Sequence, residues 1–290
     1  MGDSQPQRDR RRPEFVAVGH VTRDLLPGGE HTLGGTVSYA ALTASRLGCS
    51  AAVFTSGPPA WALSAVLPGI DVHVVPSTHA TTFENIYRGA GRQQCVHAVA
   101  DPLPVGQLPA EWRRTPILLL APVVHEIGTD WLGRFPNSLV AVTPQGWLRT
   151  WDEDGRVRFR RWAEAEQVIS EVDVLIFSEE DVESDESLVL EYAGAARLAV
   201  VTRGSMGATL FVEGESQESP AFRAQVVDPT GAGDVFAAAF LVRLRETADP
   251  VVAATFANCA ASLSVEGSGT AAVPNRQQVE ERLQRADLRG

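Results

Sequence analysis

Apolar runs alternate with segments of helical period along the first two thirds of the chain. The runs "FVAVGHV" (15–21), "AAVFTSG" (51–57), "DVHVVPS" (71–77), "PILLLAPVV" (116–124), "SLVAVTPQG" (138–146), "DVLIFSE" (173–179) and "LAVVTRG" (198–204) read as strands. Between several of them lie helical patterns, such as "GGTVSYAALTASRLG" (34–48) and "DESLVLEYAGAAR" (185–197). Strands that are apolar throughout are buried on both faces, which predicts a mostly parallel sheet covered by helices, a doubly wound α/β fold. The C-terminal third changes period and predicts three successive helices over 231–247, 249–266 and 275–288.

Two segments break the alternation. "TTFENIYRG" (81–89) and "GRQQCVHAVAD" (91–101) predict a hairpin turning at Gly89-Ala90-Gly91, with no helical partner. It reads equally as a small β lid or as a plain insertion. A second hairpin is predicted over 147–162, turning at Asp154-Gly155. No repeat or low-complexity linker divides the chain, so residues 14–290 are expected to form one domain. Its lid comprises roughly residues 81–101 with part of the N-terminal segment.

Composition narrows the class. The 290 residues carry a net charge of −11, opposite in sign to the field a nucleic-acid binder needs. The basic cluster Arg8–Arg12 precedes the first strand and belongs to a tail over residues 1–13, expected to be disordered. No apolar run is long enough to span a bilayer, and that tail lacks the apolar centre of a signal peptide. Cys49, Cys95 and Cys259 fit neither a disulfide framework nor a metal pattern, which matches a cytoplasmic setting. The six histidines likewise lack metal-ligand spacing, although His20 lies close to the substrate wall inferred below. All 25 basic residues are arginine, so lysine-dependent chemistry, including the GxxxxGK[ST] phosphate loop, is excluded. A dinucleotide fold would place GxGxxG after the first strand, and "VGHVTRD" lacks it.

The densest chemistry lies in "VVDPTGAGDVFAAAFLVRL" (226–244). A helix N-terminus exposes unpaired N–H groups and carries roughly half a positive charge. Glycines at 231 and 233 admit a ligand close to the backbone, so the amides of Gly231, Ala232 and Gly233 can form an anion nest. Asp234, in the first turn, stands beside that nest, where a carboxylate can take a proton from a hydroxyl. The same spacing also describes a capped strand-to-helix turn, with Asp228 as cap and Asp234 favouring the helix dipole. Spacing alone leaves both open.

The longer string "DPTGAGDVFAAAFL" resembles the signature of the ribokinase-like (PfkB) carbohydrate kinase family. Three further segments resemble that family in order: "GHVTRDL" with "LGGTVSYAALTASRLG", "VVTRGSMGATLF", and "FANCAASLSVEGSGT". Together they cover residues 15–275. The resemblance implies a ribokinase-like sandwich with a small β lid, ATP and Mg²⁺ as cofactors, and transfer of the γ-phosphoryl group to an alcohol. It implies Asp234 as the base, with the 231–233 amides holding the transferring group. Asp24, Thr22, Gly34, Gly35 and Tyr39 would form the acceptor wall. Thr202, Arg203, Gly204, Asp228, Asn258 and Gly267 would lie on the nucleotide side, with Arg203 pairing a phosphate. The partner is then a small sugar, polyol or nucleoside, and family practice implies a homodimer through the lid. A non-catalytic sensor on the same scaffold is the alternative class; the presence of both Asp228 and Asp234 speaks against it.

The chain departs from the family pattern at informative places. Ser178-Glu179-Glu180-Asp181 replaces Asn-x-x-Glu, leaving Asp181 as the candidate metal contact. An acidic run there also describes an ordinary helix start. Tyr39 replaces an asparagine on the acceptor side. "VTPQGWLR" (142–149) and "TTFENIY" resemble the inositol-kinase branch.

Overall fold

The apolar runs become seven adjoining strands of one nine-stranded sheet in the computed structural model, which describes residues 12–26, 28–59, 61–88 and 91–285. In chain order the strands are β1 (Phe15–Val18), β2 (Thr22–Leu25), β3 (His31–Gly34), β4 (Ala51–Gly57), β5 (Asp71–Pro76), β6 (Thr81–Arg88), β7 (Gly91–Ala98) and β8 (Ile117–Leu120). They continue with β9 (Leu139–Val142), β10 (Arg149–Trp151), β11 (Val157–Phe159), β12 (Val174–Ser178), β13 (Leu198–Thr202), β14 (Gly207–Val212) and β15 (Glu215–Pro220). The helices are α1 (Thr36–Arg46), α2 (Leu63–Val66), α3 (Ala165–Ser170), α4 (Glu186–Ala195), α5 (Ala232–Thr247), α6 (Pro250–Ser264) and α7 (Arg276–Gln284).

The sheet order is β15-β14-β13-β12-β9-β8-β1-β4-β5. From β13 to β5 every neighbouring pair is parallel; β14 and β15 fold back as antiparallel additions at one edge. Alternate residues of each inner strand enter different cores. Ala17, Leu119, Ala141, Ile176 and Val200 pack towards α1, α5 and α6. Val16, Leu118, Val142, Leu175 and Val201 pack against Trp131, Trp162 and Tyr192 on the opposite face. Burial on both faces explains why these strands lack polar alternation.

The strands are shorter than their apolar runs. The run 116–124 keeps only Ile117–Leu120 in the ladder, and 138–146 keeps only Leu139–Val142. Ala121 N and Thr143 N make the last bonds to the neighbouring strands, and the prolines that follow them, Pro122 and Pro144, supply no N–H for a ladder. In open parallel sheets the strands' carboxyl ends border the ligand crevice, so these released residues become available to line it.

The predicted hairpin at 81–101 is real, and it belongs to a four-stranded sheet ordered β3-β2-β6-β7. Its tip, Gly89-Ala90, lies outside the described residues. The parallel β2–β6 pairing joins segments more than fifty residues apart, which no local period reveals. The hairpin β10–β11 also forms, turning through Asp154-Gly155. It is bound to this four-stranded sheet: Val96 N donates to Gly155 O at 2.8 Å, and Cys95 bridges Arg156. Of the tail assigned to 1–13, residues 12 and 13 are described and held. Arg12 donates to Arg114 O through Nε and Nη2, at 2.9 and 2.6 Å, and Pro13 is buried. The rest of the tail lies outside the described residues. No described helix is long and apolar enough to cross a membrane.

Candidate active site

The N-termini of α1 and α5 meet where Tyr39 lies against Gly231, next to β2 and β3 of the four-stranded sheet, and glycines set how closely. Gly35, with φ 86°, is the N-cap of α1; a Cβ there would lie 2.3 Å from His20 O. At Gly34 a Cβ would fall 2.3 Å from Asp24 Oδ2 and 2.6 Å from Thr22 Oγ1. The missing side chain therefore makes room for the Asp24 carboxylate, which Thr22 Oγ1 also meets, donating at 2.9 Å. The glycine pair thus opens a helix and accommodates an acidic side chain at once.

Gly231 is the N-cap of α5, with φ 78°, a conformation that favours glycine. Its missing side chain is filled by Tyr39: a Cβ at 231 would sit 2.4 Å from both Tyr39 Cδ1 and Cε1. Tyr39, almost fully buried, thus lies between the two helix starts. Burial pushes its hydroxyl pKa upward, and the charges of Asp234, Asp228 and Asp24 add to that. The tyrosine is thereby a neutral hydrogen-bonding group among acids.

Asp234 is the perturbed acid of the site. Burial pushes its pKa from 3.8 up to about 7; the Thr36 side-chain hydrogen bond opposes the shift, Asp181 adds to it, Arg149 opposes it and Asp24 adds to it. Four separate segments therefore place charged or polar groups around one carboxylate. Those segments are α1, β2, β10 and the turn after β12. A carboxylate tuned close to neutrality is well matched to accept a proton.

The glycine turn differs in detail from its sequence reading. Asp228 does not cap α5, whose N-cap has no side-chain hydrogen bond. Instead Asp228 Oδ1 accepts from Thr230 N at 2.9 Å, and Oδ2 accepts from Gly269 N at 3.4 Å. Val227 N and Asp228 N both donate to Val265 O. Asp228 therefore ties the glycine turn to the segment after α6. Of the three proposed nest amides, that of Ala232 donates to Pro229 O at 3.2 Å. Among the described residues, the amides of Gly231 and Gly233 have no acceptor within the chain, and the space around Gly233 is open.

Asp181 closes the 3-10 turn that follows β12. It accepts from Ser178 N at 2.9 Å through Oδ2, and from Gln145 Nε2 at 3.3 Å through Oδ1. The acidic helix start and the approach to Asp234 are thus both true of it. The carboxylate keeps lone-pair sites for the water shell of a magnesium ion, while among the described residues no group of three or more His, Cys, Asp or Glu is placed to hold a metal directly.

The nucleotide-side candidates are otherwise occupied. Arg203 does not present a phosphate fork. Its Nε donates to Thr209 Oγ1 at 2.9 Å, its Nη1 to Glu179 Oε2 at 2.8 Å, and its Nη2 to Glu186 Oε1 at 3.0 Å. Asn258 is buried and donates to both Ser219 O and Ser219 Oγ at 2.9 Å, clamping α6 to β15. Thr202 ends β13, half-buried, with Oγ1 3.5 Å from Phe177 O. Gly204 adopts φ 53° with open space about it, and Gly267 packs near Ala272. What this side exposes is backbone and the apolar surface of Val226 and Val227, 61% and 65% accessible.

Thr36, Gln145 and Arg149 were missed as site residues. Gln145 and Arg149 stand in the "TPQGWLR" segment, whose resemblance to the inositol-kinase branch is the available signal. Thr36 directly follows the glycine pair and had none.

Residues 152–277 match the pfkB family carbohydrate kinase model. A curated cytidine kinase of Thermococcus kodakarensis is 28% identical over 254 residues, 79% of this chain and 87% of that protein. A pyrophosphate-dependent kinase in the ribokinase family, solved with a pyrophosphate analog and myo-inositol, superposes with a TM-score of 0.77. It is 24% identical, covering 92% of this chain and 99% of the other. Arabidopsis thaliana ribokinase, solved with ribose and ATP, gives a TM-score of 0.74 at 21% identity, over 94% of this chain and 99% of the other. These likenesses show a ribokinase-like fold, and residues 152–277, somewhat under half of the chain, are similar to the pfkB family carbohydrate kinase model.

Proposed function

We propose that the chain transfers the γ-phosphoryl group of ATP to a hydroxyl of a sugar or cyclic polyol, with an inositol-type acceptor favoured. The observation that carries the reading is Asp234, a carboxylate brought to a pKa of about 7 at a helix N-terminus, between Asp24 and the glycine turn. In the proposed step the acceptor oxygen forms a bond to the γ-phosphorus. The bridging P–O bond breaks, its electron pair leaves with ADP, and the hydroxyl proton passes to Asp234. Asp24, held by Thr22, binds a neighbouring acceptor hydroxyl. The amides of Gly231 and Gly233, with the α5 dipole, stabilise charge on the transferring group. Asp181, anchored by Ser178 N and Gln145, would hold Mg²⁺ through water. When bound, that ion would neutralise phosphate charge.

The inositol preference rests on "TPQGWLR" and "TTFENIY", on Tyr39 in place of asparagine, and on the myo-inositol bound in the pyrophosphate-dependent structural relative. A nucleoside acceptor is the second reading, favoured by the cytidine kinase match over most of the chain. A homodimer through the lid accompanies the proposal, to be checked by sedimentation.

The test is a turnover assay with Mg²⁺, using ATP or pyrophosphate as donor against myo-inositol, ribose, hexoses and cytidine. Phosphorylated myo-inositol with ATP is the expected product. Turnover of cytidine alone selects the second reading, and no turnover of any pair overturns the kinase reading for this chain.

A further inference from the structure

The four-stranded sheet is joined to the rest of the chain at four places. They are residues 19–21 before β2, Gly35 after β3, residues 77–80 before β6 and the segment that follows Ala98 at the end of β7. All four meet at His20, a fully buried side chain that the proposed phosphotransfer does not use. His20 Nδ1 lies 2.7 Å from Oγ1 of Thr81, the first residue of β6, and Nε2 lies 3.0 Å from Asp101 O, beyond β7. A carbonyl can only accept, so Nε2 carries a ring proton and donates it. Thr81 Oγ1 accepts from Ala100 N at 3.0 Å, which leaves its own hydrogen free to be donated to Nδ1. That tautomer gives each of these buried polar atoms its partner. At the remaining junction, a Cβ on Gly35 would lie 2.3 Å from His20 O.

The backbone around His20 is fastened to the large sheet. His20 N donates at 2.9 Å to Glu126, a buried carboxylate that also accepts from Val123 N and Val124 N. Gly19 N donates to Phe54 O at 3.1 Å, and Val21 N to Thr55 Oγ1 at 2.8 Å. Ser77 N donates to Gly57 O at 2.9 Å, while Ser77 Oγ accepts from Asp101 N at 3.1 Å. The imidazole thus carries a firm anchorage on the large sheet to the roots of β6 and β7. Thr22, Gly34 and Thr81 share one register row across β3, β2 and β6, and Thr22 Oγ1 donates to Asp24. What fixes Thr81 therefore fixes the row from which Asp24 is presented.

Resting on the phosphotransfer reading, we propose that His20 is a positioning residue. Its imidazole pins the roots of β6 and β7 to the large sheet and so sets where β2 holds Asp24 for the acceptor. It acts through Thr81 and the strand register, not by contact with substrate. A buried network of this kind is rigid while every member is satisfied, and an unmade bond within it is costly.

The test compares the parent protein with His20→Leu, His20→Gln, Thr81→Val and the double variant His20→Leu/Thr81→Val, each first checked for folding by circular dichroism. Thr81→Val removes little more than a hydroxyl, so it decides the matter if a replacement at 20 fails to fold. In His20→Leu and Thr81→Val the acceptor KM should rise about tenfold, the scale of one lost buried hydrogen bond. Their kcat should stay within about threefold and the ATP KM within about twofold, since what is loosened is acceptor binding. His20→Gln, whose amide offers one donor and one acceptor, should recover part of the loss. The double variant should be no worse than the worse single one, because both break the same bond. Hydrogen exchange should be about tenfold faster in β2, β6 and residues 99–101, with β8 and β12 at the parent rate. Equal acceleration in every strand would mark a merely structural histidine and overturns the proposal. An acceptor KM within about twofold of the parent in both single variants overturns it as well. Should the parent phosphorylate no acceptor, the kinase reading fails, and exchange alone decides the pin. Selective loosening of the small sheet then supports it, and parent-like exchange there overturns it.

Discussion

The acceptor corner and the nucleotide-side loops are built on opposite plans. In the corner, side chains are aimed at one another across small gaps that glycines leave. Asp24 lies over Gly34, Tyr39 over Gly231, and Thr36 reaches Asp234. Their charges remain unresolved, as the raised pKa values of Asp234 and Tyr39 record. On the nucleotide side the polar side chains have already found partners. Arg203 is shared between two glutamates, Asn258 is spent on Ser219, and Asp228 on two backbone amides. That side offers amides and valines where the corner offers carboxylates. Under the proposed phosphotransfer, recognition of the acceptor would be written in side chains, while recognition of the donor would rest mainly on main chain and apolar surface. Substitutions should therefore damage catalysis in the corner and stability in the loops.

Asp234→Asn attacks this contrast most strongly. Removing the base should cut kcat by about 10²–10⁴-fold while acceptor affinity by calorimetry stays within a few-fold. Gly231→Ala comes next. A Cβ there meets the Tyr39 ring and occupies a left-handed conformation, each at about 1–3 kcal/mol. Melting temperature should fall by several degrees and activity should fall with it, whereas Gly204→Ala, in open space, should spare activity. Asn258→Ala and Arg203→Gln probe the other plan. Losing both Asn258 hydrogen bonds to Ser219 costs about 1–3 kcal/mol. Both variants should melt earlier, with kcat at saturating substrate within about threefold of the parent.

The smallest effect is one of linkage. The folded pKa of Asp234, about 7, exceeds its unfolded value of 3.8, so folding takes up a proton between those limits. The contribution is complete below the lower limit and is lost as pH rises through 7. Asp234→Asn carries no such penalty. Its melting temperature relative to the parent should rise from pH 5 to pH 8 by about a few degrees, as calorimetry would read.

The sheet was legible because burial on both faces leaves apolar runs such as Leu118–Leu120 with no helical competitor. The strand β15 was not, since "ESQESP" is an exposed edge whose pairing follows from its turn and not from hydrophobicity. Asp24, Gly34, Gly231 and Asp234 were legible through a motif whose glycines and acids have a mechanical reason. Arg149 and Thr36 were invisible as site residues, because their role arises only when β10 and α1 are brought to α5. Arg203 shows what a motif leaves out: an arginine near a phosphate loop invites pairing, and the structure holds its side chain between Glu179 and Glu186, which no local pattern announces.

The pH dependence of kcat/KM for acceptor phosphorylation tests the central claim most directly, because it reports the ionisation of the free enzyme's base. The account predicts an acidic limb with a midpoint near 7, set by Asp234 and lost with it in Asp234→Asn. A profile flat from pH 8 down to pH 5 would contradict it.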